Sequence, residues 1–428
     1  MSSLIINDLA QPISSKRRNK EKLFEIYGIV AILFAISMLL ILFVSIFSNG
    51  YSAFYQTKII LDIELQEQVV DPDGTRNLDV IRGANYTTLI NNSLYDVMDI
   101  DSSHPKAKEL SSISTYNNML IIRDYVVSNP DQIGTIKKFN LIASDDVDQY
   151  LKGNINVEGI SENNRKISNF QVDAIKKLES NGNVLKVFNK TFFTKSDSRE
   201  PEVSGILGAI VGSFYCLLVA LFVAVPLGVF SAIYLQEFAK KNKITDFIEI
   251  NINNLAAVPS IVFGLLGLSV FINFFHLPRS APLVGGLVLA LMSLPTIVIV
   301  TRASLLAVPD SIRDGAMALG ASKMQAIFNQ VLPLATPGIC TGVIISLARA
   351  LGETAPLLMI GMIAFIPDVP TSITDPSTAL PAQIFMWADH PERAFVERTS
   401  AAILILLSFL IVMNSAAIYI RYKFEKKW

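Results

Sequence analysis

The chain has 428 residues, of which 51% are hydrophobic and 17% charged, and its 36 basic and 37 acidic residues give a formal net charge of −1. This balance excludes a basic nucleic-acid-binding protein. The charges are concentrated in residues 51–200, which carry 17 basic and 21 acidic side chains.

The chain also contains six uncharged, largely apolar stretches, which lie almost entirely outside that region. They are residues 26–57, 203–236, 250–278, 280–301, 324–348 and 399–420. A helix needs roughly 20 apolar residues to cross a hydrocarbon core. A soluble helix normally shows a charged stripe to water, and these stretches have none. The pattern predicts an all-α polytopic membrane protein with six transmembrane helices.

The basic residues beside the stretches predict the orientation, because Lys and Arg concentrate on the cytoplasmic side. The N-terminal segment 1–25, the loop 240–243, the segment 302–323 and the tail from Arg421 are all basic, and they are mutually consistent as cytoplasmic. The acid-rich stretch 368–398 then lies outside. Both termini are therefore predicted to be cytoplasmic in a multi-pass membrane protein.

Transmembrane helix 1 is predicted at 26–49. It reads as a retained anchor, since the apolar run is too long for a signal peptide and no small-residue cleavage site follows it. Residues 50–200 are then an α/β periplasmic domain inserted between helices 1 and 2. Cys216 and Cys340 both fall in apolar stretches, so no disulfide is expected.

The inserted region shows local signals but no catalytic or ligand-binding motif. Apolar residues alternate from Ile59 to Leu65, which predicts a strand, and 71–74 is a turn signal. Residues 172–185 have the spacing of a surface helix. The sequence of this region does not indicate its function.

The segment 306–335 lies between predicted helices 4 and 5. It contains a short helix predicted to end near Gly320, followed by a second helix on which Met324, Ile327, Phe328 and Val331 share a face. From composition alone this is also compatible with an amphipathic helix on the membrane surface.

The same segment resembles the cytoplasmic loop signature of ABC-transporter permeases. The matching positions are Asp314, Gly315, Ala316, Gly320, Leu332 and Pro333. Gly315 replaces an alanine of that signature, and Gln330 stands where it has isoleucine. The resemblance implies a coupling helix that sits in a groove of a separate ATPase subunit.

Predicted helix 5 carries two charges, Arg349 and Glu353, four residues apart. They can pair on one helix face, and charges within a membrane normally face an interior path or a partner. A guanidinium fork can offer an oxyanion two parallel hydrogen bonds. Arg349 and Glu353 are therefore candidate residues of a transport path, and a purely structural ion pair is the alternative. Further hydroxyl donors along the path are Ser260, Thr296 and Thr354, although such groups often bond a backbone carbonyl instead.

Residues 203–428 resemble phosphate-transport-system permeases of the PstA type. The resemblance rests on the segments 254–268, 293–298, 349–358 and 379–385. It implies the six-helix fold of type I (MetI-like) ABC importer permeases and import of inorganic phosphate. The implied partners are a PstC-type permease, PstB-type ATPases and a periplasmic PstS-type binding protein. The region 50–200 is similar to an extra N-terminal region found in some of these permeases.

No phosphate-binding loop of the Gly-rich type occurs in the sequence, so ATP and Mg would be bound by the partner ATPase and this chain is expected not to be an enzyme. The three histidines, His104, His276 and His390, lack the spacing of metal ligands. Three alternatives stay open. They are a permease for sulfate or molybdate, a membrane receptor that senses through residues 50–200, and a secondary transporter.

Overall fold

The structure is a computed structural model that describes residues 15–424 apart from residue 158. Part of the predicted cytoplasmic N-terminal segment and the end of the basic tail lie outside the described residues. The chain divides into two units, 1–49 and 50–428. The first unit contains most of one long apolar helix, α1 (Ser15–Gly50), which confirms a helix at 26–49.

Residues 51–200, at the start of the second unit, contain three strands, and we call this region the insert domain after its predicted place in the chain. The strands are β1 (Tyr55–Glu64), β2 (Ile136–Ile142) and β3 (Val184–Phe188). The helices of this domain are α2 (Glu67–Val70), α3 (Leu78–Gly83), α4 (Tyr86–Met98), α5 (Ala107–Ser111), α6 (Asn118–Ser128), α7 (Asp145–Leu151), α8 (Asn169–Ser180) and α9 (Lys190–Thr194).

The remainder of the chain is helical. Its helices are α10 (Leu207–Ile233), α11 (Lys243–Ala256), α12 (Ser260–Gly267), α13 (Pro282–Leu306), α14 (Asp310–Ala318), α15 (Lys323–Ala326), α16 (Leu332–Gly352), α17 (Ala355–Met359), α18 (Leu380–Ala388) and α19 (Ala394–Phe424). Short π-helical turns continue α10, α12 and α15 over Tyr234–Phe238, Leu268–Phe274 and Ile327–Val331.

The sheet of the insert domain is antiparallel, with β1 in the centre between β2 and β3. Its inward residues Ile59, Leu61 and Ile63 are fully buried and pack against the helices in one apolar core, as their alternation predicts. The predicted helix at 172–185 is partly wrong. Helix α8 ends at Ser180, where Gly182 takes a left-handed conformation at φ +71°, and Leu185 belongs to β3.

Within the described residues, five helices are long and apolar enough to cross a membrane, and there are six spans if one bent pair of helices is counted as a span. The bent pair is α11 with α12, which meet at 102°. The stretch 250–278, predicted as the third span, is therefore formed by two helices with a sharp bend between them. Pro259 explains the break, because proline has no N–H and disfavours helical geometry in the residue before it.

Small residues let the long helices approach closely, as expected for a packed bundle. A Cβ atom on Gly342 of α16 would lie 2.5 Å from a methyl group of Val300 on α13, and one on Gly212 of α10 would lie 2.0 Å from the carbonyl oxygen of Thr378. Their buried core includes Leu217, Val288 and Leu351.

Candidate functional site

The Arg349–Glu353 pair lies at the end of α16. The helix ends at Gly352, and Glu353 already has an extended backbone with ψ 120°, so the two residues do not share a continuous helix as the spacing predicts. They still form an ion pair, with 3.6 Å between Arg349 Nε and Glu353 Oε1. This distance exceeds that of a normal hydrogen bond, so the guanidinium keeps its donors for another acceptor.

Arg349 is open on the surface of this chain. Its side chain is 57% exposed, whereas that of Glu353 is 20% exposed. One turn earlier, Ser346 is buried and donates to the carbonyl oxygen of Ser293 on α13 (3.4 Å). The α13–α16 contact therefore fixes the helix just before Arg349, and the guanidinium itself faces away from the core of this chain.

The three hydroxyl candidates lie on separate elements. Ser260 begins α12, Thr354 precedes α17, and Thr296 lies within α13, all partly exposed. Helices α12 and α17 pack closely, because a Cβ on Gly264 would lie 2.7 Å from Pro356 Cα. Among the described residues, no hydrogen bond or ion pair joins these hydroxyls to Arg349, so their place in a common path stays a prediction.

The predicted coupling segment forms two short helices joined by a tight turn. Helix α14 ends at Ala318, Gly320 has φ +90°, and α15 begins at Lys323 behind a capping box of Ser322 and Gln325. The turn at Gly320 is thus confirmed. Helix α15 then continues through a π-helical turn into Leu332 and Pro333 at the start of α16.

The outer side of this helix pair is presented to the surroundings. Asp314, Gly315 and Met317 are exposed, and Leu319 is 91% exposed. Leu319 directly follows the last residue of α14, so the end of this helix carries an exposed apolar side chain.

Arg313 fixes α14 to the rest of the molecule. Its Nη2 lies 2.7 Å from Glu237 Oε1. Nη2 also donates to the carbonyl oxygen of Leu305, and Nη1 donates to that of Val308. Both charged side chains are largely buried, and the hydrogen bond to Glu237 raises the pKa of Arg313 above its usual value. Sequence reasoning used Arg313 only for orientation, because its partner is 76 positions away in the chain.

A groove of about 590 Å³ runs beside this helix pair. Its lining includes Glu237, Pro309, Asp314, Met317 and Lys323. The groove therefore mixes acidic, basic and apolar groups at the base of α14.

A second charged site lies where the insert domain meets α19, and the sequence analysis missed it. We call Asp148, Gln149, Lys152 and Glu397 the ionic cluster. Lys152 Nζ lies 2.7 Å from Asp148 Oδ2 and 2.7 Å from Glu397 Oε1, and all three side chains are less than 10% exposed. Gln149 donates to the other oxygen of Glu397. The i, i+4 spacing of Asp148 and Lys152 was a visible signal, but the third member is 245 positions away.

Glu202 is a buried carboxyl beside this cluster. Burial raises its pKa to about 7, and the nearby carboxylates of Asp145 and Glu200 add to the rise. The guanidinium of Arg398 donates a hydrogen bond to the backbone carbonyl oxygen of Glu202 at 3.5 Å.

Glu202 is expected to make the protein less stable as the pH rises. Between the ordinary glutamate pKa near 4.5 and about 7, the folded chain holds a proton that the unfolded chain has lost. Stability therefore falls across that window and then levels off. Glu202→Gln should remove this loss, and at pH 8 it should raise the free energy of unfolding by up to about 3 kcal/mol. Melting temperatures of the purified chain from pH 5 to 8 measure the effect.

The control for this prediction is Glu179→Gln, which removes the same charge from an exposed position of α8. A melting curve for Glu202→Gln that follows the wild type at every pH would contradict the assignment.

With this geometry established, the chain is a multi-pass membrane protein with an exposed pair of short helices, α14 and α15. Residues 224–427 match a family described as "Binding-protein-dependent transport system inner membrane component", and residues 13–160 match a domain of unknown function, DUF3333. The DUF3333 match fits the extra N-terminal region.

Curated relatives agree with the family match. The phosphate transport system permease protein PstA 1 of Mycobacterium tuberculosis (strain CDC 1551 / Oshkosh) is 34% identical over 52% of this chain and 72% of its own length. PstA of Haemophilus influenzae is 30% identical over 55% and 81%. The probable ABC transporter permease YqgI of Bacillus subtilis is 36% identical over 39% of this chain and 56% of its own length, little more than half of that relative. The chain therefore belongs to the binding-protein-dependent transport system inner membrane component family, among the PstA-type permeases.

Among solved structures, an inward-facing MetNI methionine ABC transporter is 16% identical, with a TM-score of 0.40 over 52% of this chain and 95% of that chain. A TM-score of this size supports no finer comparison.

Proposed function

We propose that this chain is a transmembrane subunit of an ATP-driven importer of inorganic phosphate. The observation that carries the proposal is Arg349, an exposed guanidinium at the end of an apolar helix in a chain whose relatives include PstA permeases. An intramembrane charge is costly, at least about 2.5–3.5 kcal/mol, so it is expected to face a path or a partner.

Arg349 suits a tetrahedral oxyanion. Its planar fork can donate two parallel hydrogen bonds, and Glu353 at 3.6 Å limits how tightly an anion is held. A conduction site has to release what it binds, so a competing carboxylate close by favours passage over storage. Thr354, Ser260 and Thr296 are proposed as weaker donors along the same path.

The proposed partners come from the resemblance to PstA-type permeases, and exposed surfaces of this chain support two of them. A second permease, of the PstC type, would cover the face that carries Arg349. PstB-type ATPases would bind Mg and ATP and receive the α14–α15 pair, with Asp314 and Leu319 at the contact. A PstS-type protein would deliver phosphate from outside. ATP hydrolysis is thus assigned to the partner ATPases and not to this chain.

The proposed orientation places both termini and the α14–α15 pair in the cytoplasm of a bacterial cell and the insert domain outside its inner membrane. It follows from the basic residues beside the spans, such as Lys240 and Arg302. Labelling of the single variants Ser180→Cys and Ser311→Cys with a membrane-impermeant thiol reagent tests it. The cysteine at 180 should be labelled only from outside and the one at 311 only from the cytoplasmic side.

Uptake by whole cells tests the function. Removing this chain should abolish high-affinity uptake of radiolabelled phosphate, and restoring it should recover the uptake together with co-purification of an ATPase subunit. Unlabelled sulfate or molybdate should not compete. Competition by either anion would favour a permease for that oxyanion, and intact uptake without the chain would favour a receptor role for the insert domain.

A further inference from the structure

The insert domain is fastened to the outer end of α19 by buried polar contacts as well as by the chain itself. In the ionic cluster, Lys152 bridges Asp148 and Glu397, while Asp148 Oδ1 accepts a hydrogen bond from the backbone N–H of Thr57 on the central strand (2.8 Å). A continuous set of bonds therefore runs from the sheet of the insert domain to the first turns of α19.

An aromatic cluster makes a second attachment beside the first. Phe192 of α9, Trp387 of α18 and Phe395 of α19 are all buried, and the ring of Trp387 lies 6.3 Å from Phe192 and 6.0 Å from Phe395. The indole N–H of Trp387 donates to Asp197 Oδ1 at 2.9 Å. The guanidinium of Arg398 lies 5.2 Å from the ring centre of Phe192. These contacts tie the end of the insert domain to both α18 and α19.

Helix α19 in turn supports the helix that carries Arg349. Leu406, Leu410 and Met413 of α19 pack in the same core as Leu347 and Leu351 of α16, which lie on either side of Arg349 in the sequence. A shift or rotation of α19 would move these leucines, because packed cores transmit displacement.

We propose that the insert domain is a clamp that holds α19 in register with α16, and that Lys152 is its positioning residue. In this role Lys152 acts on transport through Glu397 and the α16–α19 contact, without touching the substrate. The transport part of this proposal rests on the proposed function; the clamp itself does not.

The chemistry of the cluster suits a clamp. A buried ion pair adds little stability compared with well-packed apolar residues, but it is directional, and removal of one partner leaves an uncompensated charge. Lys152→Met should therefore leave Glu397 and Asp148 buried without their cation and release the outer end of α19.

Hydrogen exchange of the purified full-length chain tests the clamp without any substrate. Lys152→Met should speed exchange in residues 380–388 and 394–402 by roughly tenfold or more, since local opening becomes easier. Lys152→Arg keeps the charge and should restore most of the protection. Lys138→Met is the matched control, because Lys138 pairs with Asp62 at 3.9 Å and both side chains are more than 60% exposed.

Phosphate uptake by the complete transporter in cells tests the positioning role. With equal amounts of protein in the membrane, Lys152→Met should lower the maximal rate about tenfold with little change in KM, and Lys152→Arg should recover it. If Lys152→Met does not accumulate, Glu397→Gln is the milder variant, since Lys152 then keeps Asp148 and Gln149 keeps a hydrogen-bond partner.

Unchanged exchange in both segments would overturn the clamp. Faster exchange with an unchanged maximal rate would overturn the positioning role. If the wild type itself takes up no phosphate, the proposed function fails, while the exchange data still decide whether the clamp exists.

Discussion

Arg349→Ala is expected to reduce phosphate uptake by at least about tenfold while the protein still reaches the membrane. Hydrogen bonds to a charged group contribute about 1.5–3 kcal/mol, which corresponds to roughly 10- to 150-fold in a binding step. The side chain is 57% exposed on this chain, so its removal leaves no buried cavity. Uptake rates and protein amounts in isolated membranes measure both quantities.

A double variant separates a transport role from a structural ion pair. Arg349→Met with Glu353→Gln removes both charges and keeps similar side-chain volumes. If the pair is only structural, replacing both members by neutral groups costs little free energy, and the double variant should transport phosphate like the wild type. If Arg349 holds the anion, the double variant stays as inactive as Arg349→Ala.

Arg349→Lys adds a test of geometry. Lysine keeps the charge but not the planar fork, so uptake should stay well below that of the wild type. Full activity in Arg349→Lys would show that charge alone is needed and would contradict bidentate binding.

Arg313→Met is expected to uncouple the chain from its ATPase. The substitution leaves Glu237, 7% exposed, without its cation, and frees the carbonyl oxygens of Leu305 and Val308. Breaking a buried pair typically costs about 3–5 kcal/mol, enough to release α14 from its place. The amount of ATPase subunit that co-purifies with the chain, and ATP hydrolysis by the complex, should both fall by about tenfold or more.

Asp310→Asn is the matched control for Arg313. Asp310 lies 3.2 Å from Arg313 Nη1, but its side chain is 93% exposed, so the contact contributes little. Normal association of the ATPase with Arg313→Met would show that α14 is held by other contacts or is not the docking element.

Local patterns predict the parts of this fold that depend on nearby residues. The central strand (Tyr55–Glu64), predicted over 59–65, the turn at Gly320 and the long apolar helices follow from spacing and backbone preference alone. The break at Pro259 and the end of α16 at Gly352 carried signals too, since proline and glycine interrupt helices. The uncharged stretch 250–278 hid the first, and the helical spacing of Arg349 and Glu353 hid the second.

The contacts that position the candidate sites could not be predicted in the same way. Glu237 meets Arg313, and Lys152 meets Glu397, only after distant segments fold together. In the sequence, a single charged residue beside an apolar stretch cannot be recognised as a member of a buried ion pair, because a charge that only sets the membrane orientation has the same pattern. The sequence therefore predicts Arg349 as a candidate, because a charged residue in an apolar helix is unusual in itself. It does not reveal Lys152, because the partner Glu397 lies on a distant helix.

The most direct test is ATP-dependent accumulation of radiolabelled phosphate by the complex purified through this chain and placed in lipid vesicles with ATP on the ATPase side. Phosphate should accumulate when the binding protein is present, depend on ATP, and be lost in Arg349→Ala. ATP-dependent accumulation of sulfate or molybdate instead, or accumulation of phosphate that does not require ATP, would contradict the proposed function.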